Sequence, residues 1–141
     1  MNTVNIDDEN FIKTDTYKNF INNNPEFGYL RIRASAASQA VPISGVKITV
    51  SKILDNTKII FFEGVTDTSG MIQQISLPAP KRNNDNLEAP LYTTYQINAI
   101  NPIDNVSSVY SVNIYDDIVV LQNIVIVPDM GMMNRRNNYG Y

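Results

Sequence analysis

In two runs between Tyr29 and Gly70 the apolar residues recur at every second position, and few folds accommodate that period. The run Tyr29-Leu-Arg-Ile-Arg-Ala-Ser puts Leu30, Ile32 and Ala34 on one side and Tyr29, Arg31 and Arg33 on the other. In Pro42-Ile-Ser-Gly-Val-Lys-Ile-Thr-Val-Ser, Val46, Ile48 and Val50 alternate with Lys47, Thr49 and Ser51. A helix would repeat its apolar positions about every 3.6 residues, so a period of two in β-branched residues specifies half-buried strands. A third apolar run, Lys58-Ile-Ile-Phe-Phe-Glu, leads into Val65-Thr-Asp-Thr-Ser-Gly70.

The rest of the chain continues in the same manner. Strands are expected over 28–35, 45–54, 57–66, 71–77, 92–100, 106–115 and 118–127. Asp55-Asn56 reads as a turn, and Gly70 is free to take the positive φ that ends the next one. Asn101-Pro102 and Asp116-Asp117 turn the chain again. Seven short strands with turn residues between them point to a sandwich or a barrel. The expected core comprises Leu30, Ile32, Val46, Ile48, Val50, Ile97, Val112 and Ile124, with Tyr95 and Ala99 also inward. The segment 78–90 holds three prolines and mixed charge, and its length suits either a solvated connector or a binding or assembly loop.

Ahead of the strands, 14–22 reads as a short helix. Thr14 or Asp15 can cap it by accepting from unpaired first-turn N–H groups, and Tyr17, Phe20 and Ile21 share one face. Pro25 ends it by disfavouring helix at Asn24. So short a helix is unstable alone, so its apolar face rests on the sandwich or on a neighbouring subunit. Residues 1–10 are polar and acidic, and an arm without structure of its own is expected there. The domain reading is therefore an arm and helix over 1–26, a β-domain over 27–128 and a tail over 129–141.

Composition removes several kinds of chemistry. The 141 residues contain no cysteine and no histidine. Disulfides and thiolate sites are thereby excluded, as are the commonest general base and metal ligand. The net charge of −3 argues against a nucleic-acid partner, whose binding proteins are normally basic. The N-terminus has no positive region followed by an apolar one, so synthesis in the cytoplasm without a signal peptide is expected. No apolar run is long enough to span a bilayer.

No linear motif for catalysis stands out. Asp7-Asp8-Glu9 and Asp116-Asp117 lack the ligand spacing of a calcium loop and read as a solvated arm and a turn. Glu26, Glu63 and Glu88 are scattered, with nothing to pair two of them as a glycosidase acid and base. Tyr29, Tyr92, Tyr110 and Tyr115 would form a sugar-stacking platform if outward, although tyrosines more often pack on neighbouring strands or at protein interfaces. No enzyme activity, cofactor or metal is expected.

Taken in order, Pro42, Gly45-Val46, Thr66-Asp67 with Gly70, Tyr95 to Ile97 and Pro128 form a pattern. It resembles that of the carboxypeptidase-regulatory-like, transthyretin-like β-sandwich domains. Leu77-Pro78-Ala79-Pro80 and the preceding Tyr17-Lys-Asn-Phe-Ile with Asn24-Pro25 look like a version found in spore-forming anaerobic bacteria, beside spore-envelope and peptidoglycan-associated modules. The resemblance implies an all-β fold, a seven-stranded antiparallel sandwich of transthyretin-like or immunoglobulin-like type, with no catalysis of its own. Related pilus sandwiches carry a lysine–asparagine isopeptide bond. Here Lys47 and Asn123 are the imaginable pair, but the acid that promotes the bond is missing.

Apolar residues at both ends complete the functional expectation. Val4, Ile6, Phe11, Tyr17 and Phe20 lie before the strands, and Met130, Met132, Met133, Tyr139 and Tyr141 after them. Sandwich edges accept added strands, and Met and Tyr favour contact surfaces. The expectation is a structural subunit that pairs with other copies of itself through its termini, in a spore-surface or extracellular layer, fibre or appendage. A domain that binds peptidoglycan or a surface glycan is the alternative.

Overall fold

The computed structural model describes residues 1–36, 41–82 and 91–127. In chain order these residues form β1 (Asn2–Asn5), a 3-10 turn (Phe11–Lys13), α1 (Asp15–Asn23), β2 (Glu26–Ala36) and β3 (Val41–Pro42). They continue with β4 (Lys47–Leu54), β5 (Thr57–Val65), β6 (Met71–Ala79), β7 (Thr93–Ile100), β8 (Ser107–Ile114) and β9 (Val119–Val125). The fold is all-β and sandwich-like, with one short α-helix.

One sheet has five strands in the order β1-β5-β4-β7-β8. The other is centred on β2, which pairs with β3, β6 and β9. β6 meets β2 from Glu26 to Arg33 and β3 meets it at Ser35 and Ala36, so these two follow one another along one edge. β9 runs along the other edge, from Tyr29–Val119 to Ser35–Val125.

The seven expected strands are all present, but the count and direction need correction. Among the described residues there are nine strands, and both sheets are mixed: β1 is parallel to β5, and β9 is parallel to β2. Alternation is the same in parallel and antiparallel pairs, so the sequence pattern could not distinguish them. The arm is also corrected. Asn2–Asn5 is a strand, although asparagine is a poor strand former, because the open edge of β5 supplies its hydrogen-bond partners.

Turn chemistry sets the registers. Asp55 and Asn56 both take positive φ, at 47° and 62°, the geometry of a tight two-residue hairpin between β4 and β5. The Asp67 carboxylate accepts from the N–H groups of Ser69 at 2.8 Å and Met71 at 3.0 Å. Gly70 completes that turn at φ 75°. A Cβ there would lie 2.4 Å from the Ala34 carbonyl oxygen, so the approach to β2 excludes side chains.

All eight expected core residues are buried, together with Ile59, Ile75, Leu77, Tyr95, Ala99 and Ile114. Each fully buried Leu or Ile contributes about 1.5–3 kcal/mol relative to exposure. The Thr14 side chain caps α1 by accepting from the Tyr17 N–H at 3.2 Å. The helix docks through an aromatic column: Phe20 and Phe61 ring centres lie 5.6 Å apart, and Phe61 and Tyr95 5.0 Å. Phe61 falls where the β4–β5 register shifts between Val50 and Ser51. Thr93 donates to the Asn24 side chain, and Thr16 donates to Asp55 at 2.6 Å, tying the helix to the five-stranded sheet. The helix face thus rests on its own sandwich.

Candidate functional site

The outer face of the five-stranded sheet carries a cleft with two lysines in its lining. Register fixes which side chains share that face, because directly opposed residues point the same way. Ser51 on β4 is opposite Gln96 on β7, and Gln96 is opposite Ser111 on β8. One step along, Thr94 is opposite Asn113; on the other side, Thr49 is opposite Asn98. On β7 and the adjoining part of β8 these rows are hydroxyls and amides, bounded by Val109 opposite Asn98 and, on β5, by Ile60 opposite Ser51 and Glu63 opposite Thr49. Hydrogen bonds order them: Thr94 to Asn113 at 2.7 Å, and Gln96 to Asn98 at 2.9 Å.

The pairing of β4 with β7 stops at Ser51–Gln96, and past that point the strands separate. A cleft of about 410 Å³ opens there, lined by Ser51, Lys52, Ile53, Lys58, Thr94, Tyr95, Gln96 and Ser111. The Lys52 ammonium donates to the Thr94 carbonyl at 2.9 Å and sits 5.9 Å from the centre of the Tyr95 ring. Partial burial strips water from it and lowers its pKa below the usual lysine value. The Tyr95 hydroxyl donates to the Pro78 carbonyl, and burial raises its pKa. Lys58 is a second ammonium at the cleft, and no carboxylate lines it. Chemically the cleft suits an anion flanked by hydroxyl groups.

The four tyrosines weighed together do not form one platform. Tyr110 packs against the core, and Tyr29 lines a different cleft with Arg82 and Asp116. Tyr92 and Tyr115, however, extend the register one step past Thr93–Ile114, and their ring centres lie 5.5 Å apart. Tyr92 is exposed. Asp116 accepts from the Arg82 N–H at 3.0 Å, and Asp117 holds a left-handed turn at φ 56°. Lys47 and Asn123 lie in different sheets.

The N-terminal residues expected to mediate assembly engage their own chain. Val4 is half-buried on β1, and Ile6 donates its N–H to Ile60 at 2.9 Å. Phe11 and Phe20 are buried, and Tyr17 stands edge-on to Phe11 at 5.7 Å. Met130, Met132, Met133, Tyr139 and Tyr141 lie outside the described residues, as does most of the 78–90 segment. The sequence reading missed the lysine cleft, yet a signal was there. Ile48, Val50, Lys52 and Leu54 form one alternating set, so the period that buries Ile48 also turns Lys52 toward Tyr95.

A second surface stands apart from the cleft. Among the described residues, no strand pairs with the outer edges of β8 and β9. Val119 is 52% exposed, Leu121 49% and Val127 65%, with Val106 and Val109 exposed on the neighbouring strand. A notch of about 130 Å³ between the two edges is lined by Val106, Val125 and Val127, among others. No helix among the described residues is long and apolar enough to cross a membrane.

No protein-family model matches the chain, and no curated protein matches it. Among solved structures it is similar to one titled "Crystal structure of (S)-allantoin synthase", at a TM-score of 0.42 and 12% sequence identity. The match covers 73% of this chain and 42% of that one, so this chain spans less than half the length of that enzyme. The protein named in that title is a synthase, against the expectation of no enzyme activity for this chain, and that expectation is withdrawn. A similarity this low carries no activity over to this chain.

Proposed function

We propose that this chain is a structural interaction module that assembles with other copies of itself through the β8–β9 side of the sandwich. The observation that supports the reading is the exposed apolar series Val119, Leu121, Val125 and Val127 beside unpaired strand edges. Single exposed apolar residues are ordinary, but two apolar pairs along β9 and just beyond it, Val119 with Leu121 and Val125 with Val127 on either side of Asn123, beside a free edge mark a contact surface. Backbone groups on such an edge supply pairing, and the side chains supply burial. The parallel addition of β1 to β5 illustrates strand addition at the far edge of the other sheet.

In this reading the tail of one copy, with Met130, Met132 and Met133, adds to the β8–β9 edge of the next. Nine or fewer residues suffice for a ladder, and the tail from 129 to 141 is long enough to supply one. The sandwich is of transthyretin-like type, and the resulting layer, fibre or appendage belongs at a spore surface or outside the cell. Cohesion rests on strand pairing and burial, since the chain has no cysteine.

Electron microscopy and sedimentation of the full chain test the proposal. Ordered polymers are expected, and they are lost in Leu121→Lys and on deletion of 129–141. A full chain that stays monomeric at high concentration defeats the proposal. So does Leu121→Lys assembling like the parent.

A further inference from the structure

The lysine cleft adjoins the outer-face strip that carries the tyrosine pair: Lys58 stands on that face, opposite Ile53, and Lys52 reaches the cleft from the inward set of β4 where β4 and β7 part. Along β7 the strip runs Tyr92, Thr94, Gln96, and along β8 it runs Tyr115, Asn113, Ser111. Successive same-face positions on a strand are about 7 Å apart, so the strip extends over several sugar-sized steps. At one end stands the aromatic pair, Tyr92 exposed and Tyr115 half-buried; at the other stand the ammonium groups of Lys52 and Lys58. The middle consists of neutral amides and hydroxyls, which both donate and accept.

Each part selects for a different property of a ligand. Amides and hydroxyls in a row match a hydroxyl-rich surface. Tyrosine rings give a face for the C–H side of a sugar. Two ammonium groups without a lining carboxylate demand a negative charge, in a chain whose overall charge is −3. The local charge is therefore opposite in sign to that of the molecule. That overall charge disfavours nucleic acid, which would need a wider basic surface.

We infer that this strip binds an acidic oligosaccharide, with one sugar against Tyr92 and Tyr115, hydroxyls along Thr94, Gln96 and Ser111, and a sugar carboxylate between Lys52 and Lys58. The strip adjoins the β8–β9 side along β8 but uses none of the β9 residues, so Leu121→Lys separates it from self-assembly.

The test is calorimetric titration of the full chain with a panel of uronic-acid oligosaccharides (galacturonate, mannuronate and hyaluronan fragments), each beside its neutral methyl ester. Polyglutamate serves as an anion without sugar. At least one uronate is expected to bind, with affinity falling about tenfold or more on esterification and in Lys58→Gln. Tyr92→Ala weakens the same ligand, while Leu121→Lys, outside the strip, leaves binding intact. Far-ultraviolet circular dichroism checks that each variant stays folded. The inference is overturned if no member of the panel binds, if Lys58→Gln and Tyr92→Ala bind like the parent, or if polyglutamate binds as tightly as the best uronate.

Discussion

The outer face of the five-stranded sheet and the β8–β9 side are both β-surface open to solvent, and their chemistry is opposite. The first presents Thr94, Gln96, Ser111 and Asn113 on its outer face, with β7 paired to β8 along its length and to β4 from Gln96 to Ile100. The second presents Val119, Leu121 and Val125 on a strand with one edge unpaired among the described residues. A face inside a sheet has only side chains to offer, so its composition sets what it can hold. An edge also offers N–H and C=O groups, and apolar side chains beside them favour another strand over water. The comparison thus separates a surface suited to a hydrated ligand from one suited to a second chain.

The core beneath both regions gives the strongest lever. Ile48→Ala removes a fully buried side chain from β4, at an expected cost of about 2–5 kcal/mol in denaturant unfolding. Because both regions rest on that core, ligand binding and assembly should weaken together. A loss below about half a kilocalorie would place Ile48 outside the core.

Gly28→Ala sharpens the contrast by acting where β8 ends, at the tyrosine pair and the turn toward β9, away from the lysines. A Cβ at Gly28 would lie 2.1 Å from the Tyr115 carbonyl oxygen and 2.6 Å from Ile114. The chain between β8 and β9 must shift, at a cost of about 1–3 kcal/mol. Assembly should suffer more than the lysine end of the cleft, which is built from β4, β5 and β7. Equal loss of both would show the two regions to be mechanically coupled.

Tyr95→Phe addresses the floor of the cleft. It leaves the Pro78 carbonyl without its partner in a buried setting, costing about 1–3 kcal/mol. It also changes the pH dependence. Burial raises the Tyr95 pKa above its ordinary 10.0, so above pH 10 the unfolded chain gives up a proton that the fold retains. Stability then falls as pH rises through that region. Lys52 acts oppositely: its lowered pKa means that stability rises with pH in a window that closes near its ordinary 10.5. In Tyr95→Phe the alkaline fall due to Tyr95 should disappear. An unchanged slope in thermal melts from pH 9 upward would show that the hydroxyl does not control it.

The smallest effect on stability is expected at the edge. Leu121→Lys alters an exposed side chain and should change unfolding by no more than about 0.5 kcal/mol while abolishing polymers. Deleting residues 1–13 is a poorer test of the termini, because it removes β1 and the buried Phe11.

Much of this fold was legible from periodicity. The alternation at 30, 32 and 34 and at 46, 48 and 50 located the buried positions, and Asp55-Asn56 and Gly70 marked turns that the backbone adopts. Thr14 was a readable cap because its side chain replaces a missing helical acceptor. The candidate sites were far less legible. Tyr92 and Tyr115 are separated by an entire hairpin, and only register brings them opposite one another. Tyr110 looked equivalent to Tyr115, yet an odd separation of five residues puts them on different faces.

By itself, the sequence determined which side chains turn inward, because period and burial are local properties of each strand. It also determined what chemistry is missing, since a chain without cysteine or histidine cannot use either. Only the tertiary structure decided that β9 lies parallel to β2 and that Asn2–Asn5 becomes a strand. Strand direction and edge occupancy depend on where distant segments meet, and no local pattern records that. The same is true of the lysine cleft: it exists because β4 and β7 part after Ser51–Gln96, which is a property of the pair and not of either strand.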